Sequence, residues 1–137
     1  MAICNFNAVT VKTARSTAIN TAVGTSGVIK FYTGSPPSDA SVTATGTLLA
    51  TLNCSSTFGV VTTGVSGGAS AYLTANPITS ATGVANGTPG YARVQTSAGV
   101  GVVDLDCGVS GASIILNPNS ITTGQPVVIS SLVITEP

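Results

Sequence analysis

The sequence predicts a mainly all-β fold, an antiparallel β-sandwich or jelly roll with one short N-terminal helix. The 137-residue chain is rich in Thr, Ser, Ala, Gly and Val, and small and β-branched residues fit pleated sheets and tight turns. Candidate strands recur about every 8–14 residues and are separated by turns rich in Gly, Pro and Ser, as in sandwiches and jelly rolls. The length fits one domain, which we place at residues 10–137 as a single jelly-roll-like unit after an N-terminal arm, residues 1–9.

One helix is predicted, in the segment TVKTARSTAINTAVG that begins at Thr10. At helical spacing its apolar residues share one stripe, expected to face the sheet: Val11, Ala14, Ala18 and Ala22, widened by Ile19 and Val23. A second stripe is polar: Lys12, Ser16 and Asn20. Gly24 supplies the left-handed stop of the helix. Four threonines between Thr10 and Thr21 lower the helix propensity, so packing must hold the helix in place.

Alternation along the strands predicts the core, because successive side chains of a strand point to opposite faces. The residues on the inward phase are expected to be buried: Ile29, Phe31, Leu48, Leu52, Val103, Leu105, Ile129 and Val133. The segment GYARVQTSAGVGVVDLDCG reads as a hairpin with TSAG as its turn. Its first strand places Tyr91, Arg93 and Gln95 on one side, opposite Ala92 and Val94.

The segment 34–46 is predicted to be an exposed connection between two core strands. Pro36 and Pro37 fix φ and remove two backbone donors, so neither fits a central strand. Loops of about a dozen residues commonly contact a partner or serve as linkers.

Charge excludes several function classes. Only 6% of the residues are charged, and four bases balance four acids. A neutral chain cannot supply the basic surface that nucleic acid requires. No apolar run is long enough for a transmembrane helix, and the start MAICNFNAVTVK lacks the pattern of a signal peptide. We therefore expect neither nucleic acid nor membrane among the partners.

Candidates for catalysis are few, because the chain has no histidine for acid–base chemistry. Asp104 and Asp106 share one strand face and could hold a cation or simply form a solvated outer face. Tyr32, Tyr72 and Tyr91 could form a platform for sugars or pack in a core or interface. The expectation is a protein that is not an enzyme, with no cofactor and no metal.

The cysteines, Cys4, Cys54 and Cys107, are odd in number and lack metal-site spacing. This argues against a disulfide framework and predicts three buried or half-buried thiols in a reducing compartment.

Four motifs in order carry a resemblance to a known family: IKFYTGSPP, ATGTLLATLNCSSTFG, GTPGYARVQTSAGVGVVDLDCG and IILNPNSITTGQPVVISSLVITEP. Together with the preceding helix they cover residues 10–137. In this order they resemble the capsid cement, or decoration, proteins of tailed phages. The chain departs from the family pattern in its cysteines and in CSSTFG, which stands where the family has a proline-containing bend.

The resemblance implies a structural virion protein that binds the outer surface of an assembled capsid and stabilises the shell lattice. The implied partners are the major capsid protein and a second copy of the chain, in a homodimer, after synthesis in the bacterial host cytoplasm. The residues expected to contact the capsid or the second copy are Phe6, Tyr32, Pro36, Pro37, Asp39 and Pro137. The alternative is a receptor- or glycan-binding β-domain of a phage tail fibre or adhesin.

Overall fold

A computed structural model describes residues 8–63 and 71–135 of the chain. The helix α1 spans Ala8–Val23 and precedes eleven strands. The strands are β1 Val28–Tyr32, β2 Leu48–Asn53, β3 Gly59–Thr63, β4 Ala71–Ala75, β5 Ala81–Thr82, β6 Tyr91–Gln95, β7 Gly101–Leu105, β8 Cys107–Gly108, β9 Ile114–Leu116, β10 Pro126–Val127 and β11 Ile129–Thr135. The described residues are mostly β, in antiparallel sheets with a single helix, so the predicted fold class is confirmed.

The strands form a four-stranded sheet of order β2-β1-β6-β7, a five-stranded sheet of order β3-β4-β11-β9-β8 and a small β10-β5 pair. Pairing is antiparallel except between β8 and β9. The β1–β2, β3–β4 and β6–β7 hairpins each stay within one sheet. The predicted TSAG turn joins β6 to β7, and Gly99 takes the left-handed conformation there, at φ 87°.

One apolar core is shared by the two larger sheets. Four of the residues predicted to be buried lie in it: Ile29, Phe31, Leu52 and Leu105. Val103 is only half-buried, because its strand β7 is the outermost strand of its sheet. The other three predictions of burial fail where the strand phase shifts.

Leu48 is half-buried, and the prediction that it lies in the core is wrong. Along β1, Phe31 pairs with Ala50 whereas the next residue, Tyr32, pairs with Leu48. Leu49 is therefore an extra residue, a β-bulge, and it is fully buried. A bulge reverses the phase of the side chains beyond it, which turns Leu49 inward in place of Leu48.

A second bulge changes the predicted side-chain phase of the last strand, β11. Ile129 pairs with Leu116 and Ser131 with Ile115, so Ser130 is the extra residue. Beyond it the even-numbered Leu132 and Ile134 are buried. Ile129 and Val133, which were predicted to be core, are half-buried. A strict period of two carried across a bulge assigns every later side chain to the wrong face.

The predicted packing face of α1 is wrong for its alanines and right for its two widening residues. Ala14, Ala18 and Ala22 are exposed, whereas Val23 is buried in the core and Ile19 packs against it. Ser16, from the predicted polar stripe, is also buried. An alanine stripe removes little apolar area from water, so it does not decide the orientation. The helix packs against β3 and β4 and touches β7, and Asn20 adds a polar contact to β3.

Asn20 pairs with the backbone of the outermost strand β3. Its side-chain amide donates to the Gly59 carbonyl at 3.0 Å, and its side-chain oxygen accepts from the Gly59 amide at 3.0 Å. These are the two hydrogen bonds that a neighbouring strand would make at Gly59. A side chain that occupies an open strand edge protects it from pairing with another chain.

Replacing Asn20 with alanine should lower the free energy of unfolding by about 1–3 kcal/mol, because both Gly59 groups lose their partner. Chemical denaturation of the variant measures the loss. Thr21→Ala, at an exposed position of the same helix, is the matched control and should change stability by less than about 0.5 kcal/mol. Equal losses in the two variants would show that the Asn20 contact does not hold the helix.

The helix begins at Ala8, two residues earlier than predicted, so residues 8 and 9 of the predicted arm belong to α1. The rest of that arm lies outside the described residues. Within the described ranges no helix is long and apolar enough to cross a membrane.

Candidate functional site

The segment 34–46 lies against the four-stranded sheet of its own chain. The Thr45 amide donates to the Tyr91 hydroxyl oxygen at 3.0 Å, and that hydroxyl donates to the Thr45 carbonyl at 2.8 Å. The Thr45 hydroxyl also donates to the Ser35 carbonyl at 2.9 Å. The predicted exposed connection is therefore confirmed over most of its length, but it is not free of the sheet, because one face of it is held by Tyr91.

A buried ion pair lies beneath the same segment. Arg93 donates from Nε and Nη2 to the two carboxylate oxygens of Asp104, both at 2.7 Å. The two side chains are 3% and 10% exposed, so Asp104 is not on a solvated outer face. Nη1 of Arg93 donates to the Val42 carbonyl and so ties the segment to the sheet. The hydrogen bonds that Arg93 donates to Asp104 raise the pKa of Arg93, which keeps the guanidinium charged.

Two of the three tyrosines meet. Tyr32 and Tyr91 are partners across β1 and β6, and their rings stack with centroids 5.4 Å apart and planes inclined by 18°. Tyr91 is 1% exposed, in agreement with a packing role. Burial raises the pKa of the half-buried Tyr32. Tyr72 lies on β4 in the other sheet, so the three rings do not form one platform.

A cleft of about 490 Å³ opens between the segment and the β6–β7 turn. We call it the loop cleft; its walls are residues 40–44 and 99–101, and Tyr32, Arg93 and Gln95 from the sheet complete its lining. Arg93 and Gln95 are its buried polar residues. Tyr32 is the residue that this cleft shares with the predicted contact set.

The other predicted contact residues lie beside the loop cleft or outside the described residues. Pro36, Pro37 and Asp39 line a shallow groove of about 420 Å³ along β7. Asp39 accepts from the Ser41 amide at 2.7 Å, and this hydrogen bond lowers the pKa of its carboxyl. Phe6 and Pro137 are outside the described residues.

Asp106 is separate from Asp104. It accepts a hydrogen bond from the Ser113 amide at 3.0 Å, and its hydrogen bonds with Ser113 lower its pKa. Asp104 instead forms an ion pair with Arg93. The structure therefore divides the two carboxylates between different partners. Within residues 8–63 and 71–135, no group of three or more His, Cys, Asp or Glu side chains comes together.

The long sheet edges are partly covered. Beside β2, the Val84 amide donates to the Leu49 carbonyl at 2.8 Å and the Thr79 amide to the Asn53 carbonyl at 3.2 Å. Beside β7, the Ala40 carbonyl comes so close to Gly101 that a Cβ there would lie 2.1 Å from it. With Asn20 on β3, these contacts occupy part of each edge at which another chain could pair.

Cys54 and Cys107 are free and half-buried, as predicted; Cys4 lies outside the described residues. Burial raises the pKa of Cys54 to about 11 and that of Cys107 to about 12. Because the thiolate is the reactive form, a raised pKa keeps each thiol protonated at pH 8 and therefore slow to react with alkylating reagents.

We expect Cys54 and Cys107 to react with iodoacetamide at pH 8 at least tenfold more slowly in the folded protein than in urea. Peptide mass spectrometry reads each cysteine separately, and the unfolded protein is the control. Labelling at the same rate in both states would contradict the assigned burial.

Of the residues that line the loop cleft, Tyr32 alone was among the predicted contact residues; the others, which include Val42, Gln95 and Val100, were not recognised as site residues in the sequence. The hairpin phase did place Arg93 and Gln95 on one face. Arg93 lies opposite Asp104, however, only because the register shifts between Val94 and Gln95, with Val102 as an extra residue. The turn length alone would pair Arg93 with Val103, so the sequence did not predict the ion pair. One wall of the cleft, residues 40–44, comes from a segment about fifty residues earlier, which no local pattern relates to the hairpin.

No family model, curated protein or solved structure matches this chain. The resemblance to capsid cement proteins therefore depends on the sequence motifs alone.

Proposed function

We propose that the chain is a structural virion protein that binds the outside of an assembled phage capsid and stabilises the shell lattice. The partner is the major capsid protein, and the binding unit is a homodimer. The role uses no catalysis, cofactor, nucleic acid or membrane. Support comes from the ordered motifs over residues 10–137 and from the character of the surface.

The observation that carries the proposal is a surface with almost no charge. In the described part of the chain the large hydrophobic side chains that are exposed are all valines: Val9, Val42, Val60, Val84, Val100, Val109 and Val128. Of four bases and four acids, Arg93 and Asp104 neutralise each other in a buried pair. Such a surface is suited to partners that it meets through apolar and backbone contacts.

Because capsid subunits repeat on a lattice, each contact between the protein and the capsid can be weak and still give stable attachment. A dimer that engages two capsid subunits converts its second contact into an intramolecular one, which raises the overall affinity without new interactions. A two-fold dimer also uses the same patch twice. Because it binds the assembled lattice and not separated subunits, it shifts the equilibrium towards assembly.

The attachment footprint is assigned to the N-terminal arm, the outer side of the segment 34–46 and the C-terminal residues 135–137. In the segment, Pro36 and Asp39 are exposed, while Tyr91 and Arg93 hold its inner side. Because α1 begins at Ala8, deletion of residues 1–7 should leave the fold intact and weaken capsid binding.

The test mixes full-length and truncated protein with undecorated capsids at low and high salt, and measures the bound fraction by sedimentation. Full-length binding should resist salt, because exposed ion pairs and counterion release, the salt-sensitive contributions, are scarce here. Loss of binding in moderate salt would contradict the proposed footprint. Undiminished binding of the truncated form would remove the arm from it.

Copy number separates the proposal from a tail-fibre domain. Gel densitometry of purified particles should show the chain in near-stoichiometric amount with the major shell protein, and native mass spectrometry should show a dimer. A few copies per particle, or a trimer, would favour the fibre alternative instead.

A further inference from the structure

The loop cleft presents a side-chain amide that no described residue binds. Gln95 as a residue is 8% exposed and lines the cleft, and its side chain makes no hydrogen bond to any described residue. Its amide atoms are not among the fully enclosed, unpaired polar atoms of the described residues, so they reach the open cleft and can bind an occupant directly. The Gln95 amide offers two donors and one acceptor to whatever occupies the cleft.

Arg93 adds donors to the cleft without adding net charge. Three of its five N–H groups reach Asp104 and Val42, which leaves two for an occupant. Because Asp104 neutralises the guanidinium, an anionic ligand would gain little here, and a cation would meet the guanidinium first. The polar groups of Arg93 and Gln95 therefore favour a neutral ligand that both donates and accepts hydrogen bonds.

The rim of the cleft is apolar. Val42 is 47% exposed and Val100 is 60% exposed, one on each wall. The half-buried Tyr32 adds an aromatic ring to the lining. A matching ligand has an edge of hydroxyl groups and a face of C–H groups, which describes a sugar ring. The cleft volume of about 490 Å³ lies in the usual range for small-molecule sites, about 300–1,000 Å³.

We propose that the loop cleft binds a neutral sugar residue, with its hydroxyl groups on Gln95 and Arg93 and its C–H face against Val42 and Val100. The cleft wall formed by residues 40–44 belongs to the segment 34–46, whose outer side is assigned to the capsid footprint, whereas the wall formed by residues 99–101 lies outside that footprint.

The experiment titrates the ¹⁵N-labelled full chain with glucose, galactose and N-acetylglucosamine, each up to about 50 mM, and follows amide shifts by NMR. We expect at least one sugar to give saturable shifts in residues 40–44 and 99–101 and in the Gln95 side-chain amide. Its dissociation constant should be on the order of 1–10 mM, as expected for a ligand of this size. No saturable shift with any of the three sugars overturns the proposal.

Two variants test the assigned roles. Gln95→Leu removes the hydrogen-bonding groups at similar volume and should weaken binding at least tenfold. Val100→Asp, at an exposed position that the fold tolerates, should disrupt the C–H contact and weaken binding at least fivefold. Val109→Asp, at an equally exposed valine outside the cleft lining, is the control and should bind as the parent does. Unchanged binding in folded Val100→Asp overturns the proposal.

Two further probes distinguish other occupants. Glucuronate binding more than tenfold tighter than glucose would show an anion site and overturn the assignment of a neutral ligand. Shifts of the same residues with an uncharged Ser/Thr/Gly peptide, and with none of the sugars, would show a peptide groove and overturn it as well. Val100→Asp should bind capsids in the sedimentation assay as the parent protein does. A failure of the sugar proposal can therefore be distinguished from a failure of the proposed capsid role.

Discussion

Replacing Phe31 with alanine is expected to lower the free energy of unfolding by about 3–5 kcal/mol. The Phe31 side chain is fully buried, and its partners on both sides in the sheet are small, Ala50 on β2 and Ala92 on β6. The ring therefore fills space that its neighbours leave open. Because alanines cannot move in to refill that space, the cavity should persist and the loss should approach the upper end of the range.

Urea unfolding of the parent and the variant measures the change in the free energy of unfolding. The two curves are compared with the same m value, the slope of that free energy against urea concentration. Val60→Ala removes an exposed valine side chain, 57% exposed on β3, and should shift stability by less than about 0.5 kcal/mol. Leu52→Ala, at another fully buried position, should cost about 2–5 kcal/mol. If Phe31→Ala unfolds at the same urea concentration as Val60→Ala, the assigned core is incorrect.

Replacing Asp104 with asparagine is expected to cost about 3–5 kcal/mol, because it leaves the buried Arg93 guanidinium without a counter-charge. Asparagine has nearly the same shape, so the loss reports charge rather than packing. Asp106→Asn, two residues along, is the matched control. Asp106 is exposed and asparagine can still accept from Ser113, so the control should change stability by less than about 1 kcal/mol at neutral pH.

A double-mutant cycle separates the ion pair from the cost of each change alone. Arg93→Met with Asp104→Leu replaces both charges by apolar groups and should recover most of the loss seen in Asp104→Asn, since replacing a whole buried pair is often close to neutral. Arg93→Met also loses the contact with the Val42 carbonyl, so amide exchange of residues 40–44 should accelerate. A double variant as unstable as the sum of its two single changes would show that the two side chains are not coupled.

Local patterns in the sequence determined the fold class and most of the elements. Alternation and turn residues located the β6–β7 hairpin, its TSAG turn and the common face of Tyr91, Arg93 and Gln95. Gly24, in the left-handed conformation at φ 68°, ended the helix as predicted. These features were readable because each depends on residues close together in the chain, whose backbone preferences and side-chain period act locally.

The tertiary structure decided where those elements meet. The bulges at Leu49 and Ser130 are set by the register with neighbouring strands, so they reversed side-chain phases that a strict period of two could not anticipate. The helix turned its alanines outward and packed Val23 and Ile19 against the core, on the side where Asn20 bonds Gly59, thirty-nine residues away. The loop cleft likewise exists only because Tyr91 and Arg93 hold a distant segment over the sheet. All three depend on contacts between residues far apart in the chain, which only the folded protein brings together.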